Sequence, residues 1–113
     1  MNKGTEKLFG TEVEAFLGLR YTRMLVRLLK EIENFEKVKS RPPYTREILS
    51  IIKTWTHGHY ILTLAESLGF IERYEGYLIR KKAKIKVTFN KITELGRQFI
   101  EIYKPIEETK EAE

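Results

Sequence analysis

The chain contains no cysteine and no aspartate, and its 113 residues include only three prolines. The absence of cysteine excludes a disulfide framework, a thiol nucleophile and a cysteine-built metal site. No apolar run approaches the ~18 residues that a membrane-spanning helix needs. Residues 1–6 also lack the basic and then apolar layout of a signal peptide. We therefore expect a cytoplasmic protein that does not contact a membrane.

What the chain does contain is typical of one soluble domain. Apolar residues make up 42% of it and charged residues 33%, the proportions of an ordinary globular protein. Its length lies within the usual domain size of ~100–150 residues. Lysine, glutamate, arginine and isoleucine are abundant, whereas asparagine and glutamine are scarce. This bias is typical of an archaeal or other thermophilic source.

The net charge of +5 is concentrated in two segments. Residues 20–46 hold eight basic and three acidic residues, and residues 72–91 hold seven basic and two acidic residues. Each segment therefore carries a net charge of +5, whereas residues 92–113 carry −3. Localised positive charge is typical of a phosphate-binding surface. The alternative is that these lysines only keep the protein soluble.

The N-terminal third predicts a helical segment over residues 11–38. Thr11 and Glu14 form a capping box, which satisfies backbone donors at a helix start. Apolar residues then recur at helical spacing, and the sequence leaves open whether Gly18 splits the segment. The apolar stripe is wider than one packing partner needs, so we expect a homodimer seam, the alternative being a thick core contact. The predicted seam residues are Leu25, Leu28, Ile32, Phe99, Ile102 and Tyr103.

Residues 45–69 predict two short helices joined by a tight turn. Pro42 and Pro43 end the first segment because neither can continue a helical hydrogen-bond ladder. Thr45 then caps a second helix, and a turn at Gly58 leads into a third helix that ends at Gly69. This order forms a helix-turn-helix unit, whose second helix can enter the major groove of DNA. The predicted core residues are Ile48, Ile51, Ile52 and Trp55 in the second helix and Ile61, Leu64, Ala65 and Leu68 in the third.

After residue 69 the apolar period changes from 3.6 to 2, which predicts a two-stranded hairpin over residues 70–92. Ile85, Val87 and Phe89 alternate with polar residues and are expected to face inward. The basic tip between the strands lacks Asn-Gly or Asp-Gly, which predicts a loop longer than two residues.

The C-terminal segment predicts a last helix over residues 93–104, capped by Thr93 and ended by Pro105. Residues 105–113 would form an acidic tail. The chain thus predicts a single α+β domain of 113 residues, mainly helical, with one two-stranded hairpin.

Three stretches resemble the winged helix-turn-helix family of transcriptional regulators, in its PadR-, MarR- and ArsR-like branches. LAESLGFIER, residues 64–73, looks like the end of a recognition helix and the first wing strand. KVTFNKITELGRQF, residues 86–99, looks like the second wing strand and the closing helix with its Thr-x-x-Gly-Arg pattern. Residues 45–55 fit the preceding helix less specifically, and the resemblance covers about residues 45–103.

The resemblance implies a regulator that binds double-stranded DNA, usually as a homodimer that reads two half-sites. The third helix would lie in the major groove and the basic wing would contact phosphates. Arg46 and Lys53 on the second helix would contact flanking phosphates. The recognition role falls on His57, His59, Tyr60, Thr63 and Ser67, and the wing role falls on Arg80, Lys81, Lys82, Lys84 and Lys86.

One departure from the family pattern concerns base reading. The exposed face of the third helix has no Arg, Lys, Asn or Gln, the side chains best suited to base edges, and it carries Glu66. We therefore expect affinity to depend on phosphate contacts, with modest or shape-based specificity. Two alternatives stay open: a protein-interaction module of a transcription or chromatin complex, and RNA binding through the wing.

The sequence offers little for catalysis. His57 and His59 form at most half of a metal site, and neither a serine–histidine arrangement nor a glycine-rich phosphate loop is visible. We expect no enzymatic activity, no cofactor and no metal. Trp55, Phe70 and Phe89 are expected in the core, an effector pocket being the alternative.

Overall fold

The computed structural model describes residues 18–52 and 58–112, with residues 104–112 as backbone only. This part of the chain is an α+β structure of four helices and a two-stranded antiparallel hairpin, which confirms the predicted class at this level. The elements are α1 (Leu19–Lys39), α2 (Thr45–Ile51), α3 (Gly58–Ser67), β1 (Ile71–Arg80), β2 (Ala83–Ile92) and α4 (Glu94–Ala112). Predictions for Thr11, Glu14, Lys53, Trp55 and His57 fall outside the described residues.

The described helix α1 begins directly after Gly18, the possible break that the sequence left open, and it ends one residue beyond the predicted limit at residue 38. Gly18 precedes it with φ +86°, a left-handed value that glycine adopts without strain. The backbone N–H and the hydroxyl of Thr22 both donate to the Gly18 carbonyl, at 3.1 and 2.9 Å, and close the first turn. At the other end Ser40 has φ 60° and donates its N–H to the carbonyl of Glu36. The helix therefore stops before the two prolines.

The hydrophobic core lies where α1 meets the other elements. The rings of Phe70 and Phe99 stack with centroids 4.5 Å apart, and Phe99 contacts Tyr103 at 5.0 Å. Each Å² of apolar surface removed from water here stabilises the fold by about 25 cal/mol. Further members of the core are Leu25, Val26, Leu28, Leu29, Ile32, Ile48, Ile52, Ile61, Leu62, Ala65, Ile71, Ile92 and Ile100.

The predicted dimer seam is wrong for five of its six residues, because they are buried inside a single chain. The apolar stripe of α1 is wide because α1 contacts α2, α3, α4 and β2 of its own chain, so it is a thick core contact. Ile102 is 44% exposed and can still reach a partner. The five residues with no surface to offer a partner are Leu25, Leu28, Ile32, Phe99 and Tyr103.

Helix α2 begins one residue earlier than predicted, with Tyr44 rather than Thr45 as its N-cap. Ile48 and Ile52 are buried, as the helical period predicted. Ile51 was also expected in the core, but it is 45% exposed. Consecutive helical residues lie about 100° apart around the axis, and this short helix buries only the narrow face that Ile48 and Ile52 share.

Helix α3 ends at Ser67, and Gly69 caps it as predicted: Gly69 has φ +81° and donates its N–H to the Glu66 carbonyl at 3.0 Å. Gly58 was predicted in the turn before it but is the first helical residue. A Cβ on Gly58 would lie 2.8 Å from Cδ2 of Leu49, so the close packing of α3 on α2 is what favours glycine there. The buried residues of α3 are Gly58, Ile61, Leu62 and Ala65, whereas Leu64 and Leu68, both predicted in the core, are half-buried.

The two strands pair along their full length, but the predicted inward face of β2 is the wrong one. Ile71 and Ile92 lie directly opposite each other at the base of the hairpin, and both are buried. Because side chains alternate along a strand, Asn90 shares their face and is buried too. The residues predicted inward are on the opposite face, where Ile85 is 40% exposed; they are Ile85, Val87 and Phe89.

The hairpin turns in two residues rather than in the longer loop that the sequence predicted. Arg80 pairs with Ala83, and the two residues between them, Lys81 and Lys82, have φ of 52° and 66°. Two successive left-handed residues are the mark of a type I′ turn, whose twist matches that of the strands. Lysine adopts this conformation at a cost of roughly 1 kcal/mol per residue. The lack of Asn-Gly therefore strains the turn without lengthening it.

Helix α4 begins as predicted and continues further than predicted. Thr93 caps it: the hydroxyl accepts a hydrogen bond from the Gly96 N–H at 3.0 Å and donates to the Gly69 carbonyl at 2.7 Å. The helix then runs past Pro105 to Ala112, so the predicted stop and the separate tail are wrong. Proline removes one backbone hydrogen bond from a helix, and that loss does not end this one.

Candidate nucleic-acid interface

The exposed side of α3 is polar and carries little charge. His59, Tyr60, Thr63 and Ser67 are all exposed, as the sequence predicted, and Glu66 is exposed beside them. Tyr60 is 54% exposed, and its ring meets that of Tyr21 edge-on at 5.8 Å. The Thr63 hydroxyl donates to the His59 carbonyl at 3.1 Å, within the helix. This surface can accept and donate hydrogen bonds, but it brings no positive charge to a phosphate.

Positive charge lies instead along the hairpin. Lys81 and Lys82 are exposed at the tip, and neither makes an ion pair within the described part of the chain. Lys84 and Lys86 are exposed on β2. The Lys84 ammonium lies 4.6 Å from the ring centre of Tyr77, and the Lys86 ammonium lies 3.3 Å from a Glu75 oxygen. Among the five cations predicted for the wing, the two tip lysines are thus the least engaged.

Arg80 was predicted to contact phosphates from the tip, but it is already engaged with the domain. Its Nη2 donates to the hydroxyl of Tyr44 at 3.2 Å. Tyr44 precedes α2, so the bond shows that the outer hairpin bends over the start of that helix. A guanidinium has five N–H donors, and this bond occupies one of them. Arg80 therefore holds the hairpin in place and can still bind an anion.

A cleft of about 310 Å³ lies between the hairpin and the start of α2. One wall is apolar, and three cationic residues, Arg46, Arg80 and Lys86, belong to the lining. No acidic residue is among the lining residues, so the cleft favours an anion. The lining residues are Tyr44, Thr45, Arg46, Leu78, Arg80, Ile85, Lys86, Val87 and Thr88.

Tyr44 was not among the predicted site residues, although it joins the parts of this region. Its backbone forms an isolated antiparallel bridge to Phe89, and the centroids of their rings lie 6.5 Å apart. The Arg41 guanidinium lies 5.7 Å from the Tyr44 ring centre, and the ring is 9% exposed. The Pro-Pro pair before it predicts extended backbone at Arg41 and Pro42, each of which precedes a proline, but not at Tyr44 itself. That signal does not say which strand the segment joins.

A buried polar network fixes the base of the hairpin to the segment before α2. The Asn90 N–H donates to the Pro43 carbonyl at 2.8 Å, and its side-chain amide lies 3.3 Å from the same oxygen and from the Thr45 hydroxyl. Arg73 completes the network: its Nε donates to the Asn90 side-chain oxygen at 2.8 Å, and its Nη2 donates to Thr45 at 3.0 Å. Buried polar groups that are fully paired in this way favour a single arrangement. Arg73 therefore serves the fold.

A second polar contact orders the start of α2. Arg41 donates two hydrogen bonds to the Glu47 carboxylate, at 2.8 and 2.7 Å, and the Tyr44 N–H donates to the same carboxylate at 3.0 Å. Burial of the Glu47 carboxyl opposes its ionisation, but the hydrogen bonds from Arg41 and Tyr44 outweigh burial and lower its pKa. Glu47 is thus engaged by Arg41 beside the cleft.

The alternatives raised by the sequence can be placed on the structure. Phe70 lies in the core against Phe99, as predicted, whereas Phe89 is half-buried and contacts Tyr74 and Tyr44. Within residues 18–52 and 58–112, no cluster of three or more His, Cys, Asp or Glu side chains is arranged to hold a metal ion. None of the helices in the same ranges is long and apolar enough to cross a membrane.

Comparison with known proteins gives no match: no protein-family model matches the sequence, and no curated protein or solved structure is significantly similar to it. The case for a function is therefore built on the residues and geometry described above.

Proposed function

We propose that this protein binds double-stranded DNA without chemical change, as a winged helix-turn-helix regulator of transcription. In this arrangement α2 and α3 form the helix-turn-helix, α3 enters the major groove, and the hairpin is the wing. The observation that carries the proposal is the cleft where Arg46 of α2 meets Arg80 and Lys86 of the hairpin, with no acidic residue in its lining. Two separate elements thus contribute cations to one surface, as contact with a continuous phosphate backbone requires.

The short bridge between Tyr44 and Phe89 also supports a wing in this position. It ties the hairpin to the residue that begins α2, while Asn90 ties the hairpin base to Pro43. The hairpin is thereby held beside the helix-turn-helix rather than swinging freely. A basic element held in one place loses less conformational freedom on binding, which favours affinity.

The surface of α3 decides what kind of binding to expect. His59, Tyr60 and Thr63 can contact base edges, thymine methyl groups or phosphates, but none supplies the two-bond recognition of guanine or adenine typical of Arg or Asn. Affinity should therefore come mainly from phosphates and depend strongly on salt. Discrimination between sequences should be modest and should follow DNA shape.

The test is duplex binding as a function of salt concentration, for the wild type and for Lys81→Asn/Lys82→Gly. This variant removes both tip charges and installs the Asn-Gly pair that a type I′ turn prefers, so weaker binding cannot be blamed on a weakened hairpin. The plot of log K against log salt should become less steep by about 0.9 for each phosphate that the protein no longer neutralises. A decrease of about 1.8 is expected if both lysines bind phosphate.

The matched control is Lys37→Gln/Lys39→Gln, which removes two exposed charges from the last turn of α1. It should leave the salt dependence close to that of the wild type. Equal losses of affinity in the two variants would indicate that net charge alone governs binding. Wild-type affinity in the tip variant would refute the wing role.

A second candidate function is protein docking through the hairpin, and one observation favours it. Tyr77 and Ile79 lie on one face of the hairpin and Ile85 on the other, and they are 55%, 73% and 40% exposed, so both faces of the outer hairpin present apolar side chains to solvent. In this second candidate function, the hairpin docks onto a second copy of the same chain. Sedimentation velocity of Ile79→Thr/Ile85→Thr tests it: a dimer in the wild type that dissociates in the variant supports docking, and an unchanged state refutes it.

A further inference from the structure

Helix α1 carries four basic residues on one side. Arg20, Arg23, Arg27 and Lys30 are spaced by three, four and three residues, so they lie within roughly 80° of the helix circumference. Arg20 and Arg27 are exposed, and the other two are half-buried. We call these four the α1 basic stripe. It lies on the side of α1 away from the core and belongs to the first of the two basic segments, which the proposed interface uses only at Arg46.

Within the described residues, the α1 basic stripe resembles the tip lysines Lys81 and Lys82 in having no carboxylate partner. Arg41 pairs with Glu47, Lys86 with Glu75, and Arg97 with acidic residues of α1 and α4. Within the described residues, none of the four stripe residues makes such a pair. Within the described part of the chain, these four charges are therefore not neutralised by an ion pair.

Arg23 adds a sharper observation. Its Nε is buried and has no hydrogen-bond acceptor in the described part of the chain. A buried donor without an acceptor is uncommon, because burial removes the hydrogen bonds to water that it would otherwise make. An anion that spans Arg23 and Arg27, one turn apart, would supply the acceptor and neutralise the charge. Phosphate oxygens suit a guanidinium because they accept two parallel hydrogen bonds.

The position of the stripe relative to α3 identifies the anion. The rings of Tyr21 and Tyr60 meet at 5.8 Å, which places the first turn of α1 beside the first turn of α3. Arg20, the first residue of the α1 basic stripe, precedes Tyr21 by one position, so it lies in the turn of α1 that adjoins α3, about 100° around the axis from the ring contact. Phosphates border a groove on both sides, and the hairpin serves one side only.

We infer that the α1 basic stripe binds backbone phosphates of the same duplex, on the side of α3 away from the hairpin. This inference rests on the proposed function, since it takes α3 as the element in the groove. It enlarges the interface from one basic surface to two, with the exposed face of α3, which has no Lys or Arg, between them. It also gives a role to the first basic segment of the sequence.

The experiment compares duplex binding against salt for Arg23→Gln/Arg27→Gln, with Lys37→Gln/Lys39→Gln on the same helix as control. The stripe variant should lower the salt slope by about 1.8, two phosphates at about 0.9 each, and the control should not. Combined with the tip variant, the two decreases should add. In the stripe variant, a hydroxyl-radical footprint should lose protection at one end of the bound DNA site. A titration of this variant should still give the wild-type stoichiometry, with one duplex bound by each protein molecule or oligomer.

Arg20→Gln/Arg27→Gln is the second variant, because both side chains are exposed and their replacement does not disturb packing. Wild-type slopes in both stripe variants, with the tip variant still impaired, would overturn the inference and leave the proposed function standing. A titration that gives two duplexes in the wild type and one in the stripe variants would also overturn it, since the stripe would then hold a second duplex. Absence of duplex binding by the wild type would overturn both proposals.

Discussion

The inner and outer halves of the hairpin are built from the same two strands but are held by different forces. In the inner half, residues 71–75 and 88–92, Ile71 and Ile92 are buried and Asn90 lies in a closed polar network. In the outer half, residues 76–87, every side chain is exposed or half-buried. Arg80 links this half back to the domain through Tyr44.

This difference gives the two halves different roles. The inner half sets the orientation of the hairpin, and the outer half is available to contact a ligand. Burial fixes the direction of the inner half, because any rotation would expose apolar side chains and unpair Asn90. The outer half depends on cross-strand bonds and its turn, and an isolated two-stranded hairpin is only marginally stable in water. Its side chains are consequently available to a ligand. The following predictions test whether the two halves respond as differently as their surroundings imply, from the largest expected effect to the smallest.

The largest contrast should come from one substitution made in two places. In Gly96→Ala the new Cβ would overlap the Phe70 carbonyl oxygen and lie 2.9 Å from Cγ1 of Ile92, against the rigid base. The free energy of unfolding should fall by about 3 kcal/mol, because the backbone at Phe70 cannot move aside. In Gly76→Ala the Cβ would meet the Phe89 ring, which is half-buried and can turn aside, so a loss below about 1 kcal/mol is expected. Unfolding in guanidinium chloride measures the stability of both variants. Equal losses of stability in the two variants would contradict the predicted difference between the two positions.

Asn90→Ala should destabilise the protein by about 2 kcal/mol. The variant leaves Arg73 Nε without its buried acceptor and removes the side-chain hydrogen bonds to Pro43 and Thr45. Asn34→Ala is the control, because Asn34 is exposed on α1 and alanine favours a helix. Similar unfolding midpoints for the two variants would show that the network contributes nothing.

Glu47→Gln should cost about 1 kcal/mol at pH 7 through loss of the charged pair with Arg41, since the glutamine oxygen can still accept the hydrogen bond from the Tyr44 N–H. The folded pKa of Glu47 is lowered, so its stabilisation is present above the unfolded pKa of about 4.3 and disappears as pH falls through the folded value. The difference between wild type and variant should therefore shrink in acid. Unfolding curves at pH 7 and pH 3 check this, with the exposed Glu66→Gln as control; a constant difference would contradict it.

The smallest effect should be a gain. Lys81→Asn/Lys82→Gly replaces two left-handed lysines by residues that tolerate positive φ, and should stabilise the hairpin by roughly 0.5–1 kcal/mol. The measurement is the melting temperature. A lower value would mean that the lysine side chains stabilise the tip in a way that outweighs backbone strain.

Periodicity predicted most of the fold, and its failures have identifiable causes. The limits of α1 and the caps at Gly69 and Thr93 follow from local rules, because each involves residues close in sequence. The inward face of β2 could not be predicted in this way, since apolar residues occur at both parities and a polar residue, Asn90, is buried. The dimer seam failed because a helix in contact with four elements of its own chain shows the same broad stripe as one at an interface.

The candidate site was predictable in composition but not in arrangement. The exposed positions of α3 and the lysines of β2 follow from their spacing. The hydrogen bond between Arg80 and Tyr44 joins residues 36 positions apart. The sequence around either residue does not predict this contact. The α1 basic stripe was hidden because its helix was interpreted through its apolar side alone.

The setting of Asn90 also bears on how the chain ages. Asparagine is lost by deamidation when its side-chain carbon is attacked by the next backbone nitrogen, a motion that needs a mobile backbone. Asn90 sits within a paired strand, and its amide is held by Pro43, Thr45 and Thr88, so this attack is obstructed. Asn34, exposed on α1, lacks that shelter. On prolonged heating, Asn34 should therefore be deamidated before the buried Asn90. Mass spectrometry of peptides would measure the two rates.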